Sequence, residues 1–106
     1  MSLDVTLMEN GEEVYSANIT HNLNEMAKVA GIYSELWRPE DVCAIFAKDI
    51  VVEIANGLKK MVENPAVYEK YNAPNGWGTY NNFLPWVAKY LRACRDHPNA
   101  VIYISR

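Results

Sequence analysis

Thr20, His21 and Asn22 put three polar side chains in a row between an alternating apolar segment and a helix-like one. At such a junction the first N–H groups of a helix are unpaired and carry positive potential. Hydroxyl and amide oxygens cap them there, and anions are favoured. His21 adds a ring that can donate, accept or carry a proton. Ile19-Thr20-His21-Asn22-Leu23 is therefore where a small-ligand site or general acid–base chemistry would be built. Plain capping accounts for Thr20 and Asn22 without any ligand.

Two further segments carry chemistry-bearing types. In Trp37-Arg38-Pro39 an indole beside a guanidinium can form a planar, cationic shelf for an aromatic or anionic group. Equally, Trp37 can plug the core while Arg38 pairs with a carboxylate. In Asn75-Gly76-Trp77-Gly78-Thr79-Tyr80 two glycines flank one tryptophan, permitting close backbone approach just before a helix. This is only Gly-x-Gly, with Asn81 where a dinucleotide loop has its third glycine and no strand before it, so phosphate binding is disfavoured. The candidate ligand site thus combines His21 and Asn22 as polar, anion-facing groups, Trp37 and Arg38 as a shelf, and Asn75, Trp77 and Tyr80 as a wall.

Other polar groups point to less. Asp49 and Glu53 lie one helical turn apart, but no histidine or third carboxylate stands at matching spacing, so no metal site is expected. Lys89, Arg92 and Arg95 read as a solvated face, and His97 as a helix-terminus residue. No serine lies in a nucleophile-elbow setting, and no cofactor is implied.

The elements that must position these residues are legible in outline. Leu3, Val5 and Leu7 alternate with polar residues, as do Tyr15, Ala17 and Ile19, with Asn10-Gly11 between them as a hairpin signal. A two-residue turn would set Val5 opposite Ser16. A three-residue loop, Glu9-Asn10-Gly11, sets Val5 opposite Tyr15 and Leu3 opposite Ala17, gathering the apolar side chains on one face. Asn22 as cap, with Glu25 three residues on, opens a helix that Gly31 ends. Ile32 to Trp37 gives another short helical turn.

Pro39, Glu40 and Asp41 start the longest predicted helix, to about Val62, with a stripe through Cys43, Phe46, Ala47, Ile50, Ile54, Leu58 and Met61. Val42, Ile45 and Val52 fall off that stripe. Such a helix is sandwiched in the fold or covered by a partner, and the sandwiched arrangement is the expectation. A short helix follows Asn64-Pro65. Thr79 caps the last one, through Phe83, Val87, Leu91 and Cys94, with a start or bend near Asn82 because of Pro85. A final strand runs from Ala100 to Ile104. The fold class is α+β: a small antiparallel sheet, the N-terminal hairpin plus the C-terminal strand, with three or more helices on one face.

At 106 residues the chain is one domain, 1–106, and its 50% hydrophobic content argues for a packed core. Residues 1–53 carry three basic and ten acidic side chains, a balance of −7, and residues 54–106 seven and three, a balance of +4. Nucleic acid is not an expected partner for such a chain. No apolar run approaches the roughly 20 residues that cross a bilayer. Met1-Ser2-Leu3-Asp4 does not begin a secretory signal. Cys43 and Cys94, in helix-like segments without metal or redox spacing, suggest two buried thiols and a reducing cytoplasm.

Taken with Leu36-Trp37-Arg38-Pro39-Glu40 and Tyr90-Leu91-Arg92-Ala93-Cys94, the Ile19–Leu23 and Asn75–Tyr80 segments resemble a family of small uncharacterised bacterial and phage-encoded proteins. The resemblance implies a compact α+β fold, a cytoplasmic setting and a phage or prophage association. It implies no activity, cofactor or catalytic residue.

The function expected from these features is non-catalytic binding of a small polar or anionic ligand, or of a protein segment. One alternative is a small enzyme with His21 as general acid or base and Asn22 or Arg38 stabilising negative charge. Another is a structural homodimer in which Ile45, Val52 and the oppositely charged halves meet across a symmetry axis.

Overall fold

The hairpin joins β1 (Ser2–Glu9) to β2 (Glu12–Thr20), and β3 (Val101–Ser105) pairs antiparallel with the other edge of β1, giving the order β2-β1-β3. The computed structural model describes residues 2–106. Leu3, Val5 and Leu7 are fully buried while Asp4, Ser16, Asn18 and Tyr103 are exposed, so one sheet face meets the helices and the other meets water.

The hairpin register corrects the expectation. Its loop has two residues, not three: Asn10 and Gly11 both have positive φ, 54° and 79°, between the paired Glu9 and Glu12. That is the backbone that Asn-Gly favours in a tight hairpin turn. Leu7 pairs with Tyr15 but Met8 with Glu13, leaving Val14 as the extra residue of a bulge. The bulge supplies the one-residue offset that a longer loop would have supplied. Val5 therefore faces Ala17 and Leu3 faces Ile19, and the apolar residues still share a face.

Five α-helices follow the hairpin: α1 (Asn24–Ala30), α2 (Tyr33–Trp37), α3 (Val51–Glu63), α4 (Pro65–Glu69) and α5 (Tyr80–Asp96). Gly31 closes α1 in the left-handed conformation, φ 78°, as expected of a C-terminal glycine. The cap at the other end is Thr20, whose Oγ1 accepts the Asn22 backbone N–H at 3.3 Å at the head of a 3-10 turn, His21–Leu23. Asn22, the expected cap, uses its side chain elsewhere. Thr79 caps α5, accepting from the Asn82 N–H at 3.3 Å, and that helix runs on from Tyr80 past an exposed Pro85.

The predicted long helix from Pro39 to Val62 is not continuous. Pro39–Val42 forms a 3-10 turn that ends at Cys43, which is left-handed with φ 58°. The chain then extends along β3: Ile102 N donates to the Ile45 carbonyl and Ala47 N to the Ala100 carbonyl, each at 2.9 Å. Asp49 locks the bend by accepting the N–H groups of Ile45 and Phe46 at 3.0 and 2.9 Å. These bonds hold its carboxyl below the ordinary range, Phe46 contributing most. Pairing to a sheet edge outweighs helical periodicity here. Asp49 therefore belongs to this bend and does not share a helix with Glu53.

Two expectations about burial fall with that helix. Cys43 is exposed, whereas Cys94 is buried and its thiol is pushed up to about 12 by desolvation. Ile45 and Val52 are 58% and 64% exposed, so neither is sandwiched in the fold. The core instead joins Leu3, Val5 and Leu7 to Leu23, Met26, Ile54 and Phe83. Gly57 lets α3 press against the α1–α2 junction: a Cβ there would stand 2.3 Å from Ile32 Cγ2 and 3.0 Å from the Ala30 carbonyl oxygen.

Candidate functional site

The end of β2 and the segment 75–78 meet although they are far apart in sequence. Asn75 Oδ1 accepts the Trp77 N–H at 3.0 Å, closing a tight turn, and Asn22 Nδ2 donates to the Trp77 carbonyl at 2.8 Å. Gly78, with φ 110°, lies against Thr20 and Asn22, where a Cβ would approach side-chain carbons of both at 3.1 Å. Both backbone polar groups of Trp77 are thereby hydrogen-bonded, yet the residue is 72% exposed. The ring therefore presents a broad apolar surface to solvent beside hydrogen-bonding side chains.

Between this indole and the sheet lies an open cleft of about 750 Å³, with His21, Asn22, Asn75 and Trp77 along it and Ser2, Asn18 and Thr20 at its sheet side. That volume falls within the roughly 300–1,000 Å³ usual for small-molecule sites. A second recess of about 370 Å³ continues past Trp77, bordered by Gly76, Asn82 and Trp86. Trp86 Nε1 donates to the Asn18 carbonyl at 3.1 Å, which ties α5 to the strand end.

His21 reaches the cleft on a fixed support. Trp37 is 2% exposed, and its Nε1 donates to His21 Nδ1 at 2.9 Å. Tyr33 stacks on Trp37 with centroids 5.5 Å apart, and Arg106 Nη1 donates to the Trp37 carbonyl at 2.8 Å. Because Nδ1 accepts, the proton of the neutral ring sits on Nε2.

Four of the seven predicted residues are thus brought together: His21, Asn22, Asn75 and Trp77. Trp37 acts from beneath and offers no shelf. Arg38 lines neither recess; its exposed guanidinium is raised above its ordinary pKa by hydrogen bonding with Tyr33 and by nearby Asp41 and Glu40. Tyr80 is 6% exposed and donates its hydroxyl hydrogen to the Met61 carbonyl at 2.7 Å, so its ring faces the core and forms no wall, while its backbone N–H donates to Asn72 Oδ1 at 2.7 Å.

Residues that sequence reasoning left out of the site are Ser2, Asn18 and Trp86. Asn18 Nδ2 donates to Ser2 Oγ at 2.8 Å and to Asp4 Oδ1 at 2.7 Å, which turns the amide oxygen free. The signal for Asn18 is its place on the solvent face of β2, two residues before Thr20. Among the described residues no group of three or more histidine, cysteine or carboxylate side chains could hold a metal ion, and no helix is long and apolar enough to cross a membrane. No known protein family, curated protein or solved structure matches the chain.

Proposed function

We propose that the protein is a cytoplasmic binding module that takes a small polar ligand, or a polar protein segment, in the cleft between the end of β2 and Trp77. The observation that carries this reading is the pairing of a hydrogen-bonded backbone with an exposed indole: the Trp77 N–H and carbonyl are bonded to Asn75 and Asn22 while its ring stands in water beside hydrogen-bonding groups. Preorganised aromatic surface of this kind lowers the ordering cost of binding. The test is a ligand screen followed by tryptophan fluorescence, with Trp77→Phe as reference. Binding at the cleft changes emission in the wild type and loses most of that change in the variant. A screen whose hits act equally on both proteins rejects the site.

A homodimer is the second reading, favoured by one observation. Val42, Ile45 and Val52 are 45%, 58% and 64% exposed, so three branched apolar side chains face solvent. Light scattering at high concentration decides it: a dimer supports this reading and a monomer removes it.

A further inference from the structure

Resting on the binding-module reading above, we propose that the cleft recognises a neutral saccharide, with a C–H face of a sugar ring on Trp77 and its hydroxyls among the amides and hydroxyls around it. The inference comes from counting which hydrogen-bonding positions remain open. Asn18 spends both N–H groups on Ser2 and Asp4 and leaves its amide oxygen to accept. Asn75 spends its oxygen on the Trp77 N–H and leaves an amino group to donate. Asn22 uses one N–H on the Trp77 carbonyl and keeps both a donor and an acceptor. Thr20 accepts from the Asn22 N–H and keeps its own hydrogen to donate. His21 adds an Nε2–H, its Nδ1 being taken by Trp37.

A mixed set of donors and acceptors fits groups that do both, and a hydroxyl does both. An anion needs donors alone and would meet the Asn18 and Asn22 oxygens, with the Asp4 carboxylate bonded to Asn18 nearby. A cation needs acceptors alone and would meet the Asn75 amino group. No described side chain along the cleft or the second recess is a lysine, arginine or carboxylate. The flat apolar surface of Trp77 supplies the remaining requirement, a partner for the C–H side of the ring. Because the second recess continues past Trp77 to Trp86, an oligosaccharide of more than one ring fits better than a single sugar.

The test uses the isotope-labelled full chain, followed by NMR at the Trp77 indole and the Asn18, Asn22 and Asn75 side-chain amides. It is titrated with maltotriose, cellotriose, mannotriose and chitotriose, and separately with inorganic phosphate and a pool of unstructured pentapeptides. At least one trisaccharide should move those resonances, phosphate should not, and Trp77→Ala should weaken the saccharide about tenfold. Trp77 is exposed, so this variant keeps the fold. If peptides or phosphate move the cleft resonances and no saccharide does, the saccharide inference is overturned while the binding site stands. If none of the probes moves them, both fall.

Discussion

The Trp37 indole donates to His21 Nδ1 across 2.9 Å, and this one bond connects the buried core to the wall of the cleft. Removing either partner leaves the other unsatisfied. His21→Ala orphans a buried indole N–H and should cost about 1–3 kcal/mol in urea unfolding. Trp37→Phe should free Nδ1, so that the neutral imidazole, held as the Nε2–H form in the wild type, becomes a mixture of tautomers by NMR. An unchanged tautomer in Trp37→Phe would mean that another group orients His21.

Asn22 should matter more for the cleft than for the fold. Its exposed side chain holds the Trp77 carbonyl. Asn22→Ala is expected to lower stability by no more than about 1 kcal/mol, while hydrogen exchange across residues 75–78 accelerates. Exchange unchanged in that segment would assign its rigidity to Asn75 and Gly78 alone.

Gly57→Ala sets helix propensity against packing. In a solvent-facing helix the change would stabilise by about 1 kcal/mol. Here the new methyl meets Ile32 and the Ala30 carbonyl oxygen, and that oxygen cannot rotate away. Net destabilisation of about 1–3 kcal/mol is expected by urea or thermal unfolding. A stabilised variant would show that α3 does not approach so closely.

Asp49 gives a pH dependence of known sign. Its carboxyl titrates below the ordinary range in the folded chain, because the Phe46 and Ile45 N–H groups bond to the ionised form. The stability it contributes is therefore complete above the unfolded carboxylate value, ~3.9, and is lost as pH falls through the lower folded value. Solvent screens so exposed a group, so the effect should be less than about 1 kcal/mol. Asp49→Ala should narrow the stability gap to wild type when the pH is taken from 7 to about 2.5. A constant gap across that range would assign no role to the ionised form.

Tyr90 carries the opposite expectation. Its hydroxyl is buried without a hydrogen-bond partner among the described residues, and desolvation raises its pKa well above the usual tyrosine value. Its ring stacks on Tyr15 with centroids 5.9 Å apart, and phenylalanine would keep that contact. Tyr90→Phe should leave thermal stability unchanged or raise it by about 1 kcal/mol. A clear loss would reveal a bound water at that oxygen.

The strands, the caps at Gly31 and Thr79 and the one-sided sheet were legible because each rests on local chemistry. The bulge at Val14 was not. Two devices can offset a hairpin by one residue, and the sequence favours the longer loop only if the strong turn preference of Asn-Gly is set aside. The break at Cys43 was hidden for a different reason. Cys43, Phe46, Ala47 and Ile50 keep helical spacing by type, while the bonds that straighten Ile45 to Ala47 come from a strand some fifty residues later. The site divides in the same way. Polar side chains at the junctions marked His21, Asn22, Asn75 and Trp77, but whether an aromatic ring faces water or core depends on the tertiary fold, and this misplaced Trp37 and Tyr80.

The pairing of Asp4 with Ser105 also shapes how the protein is made. β1 leaves the ribosome before β2 and finds one neighbour at once, through the hairpin. Its other neighbour is synthesised only after all five helices. Until β3 is made, the middle strand of the finished sheet has an unprotected edge, able to pair with other nascent chains. Closing the sheet also brings Asp4 and Ser105 together, a non-local pairing of the kind that slows folding.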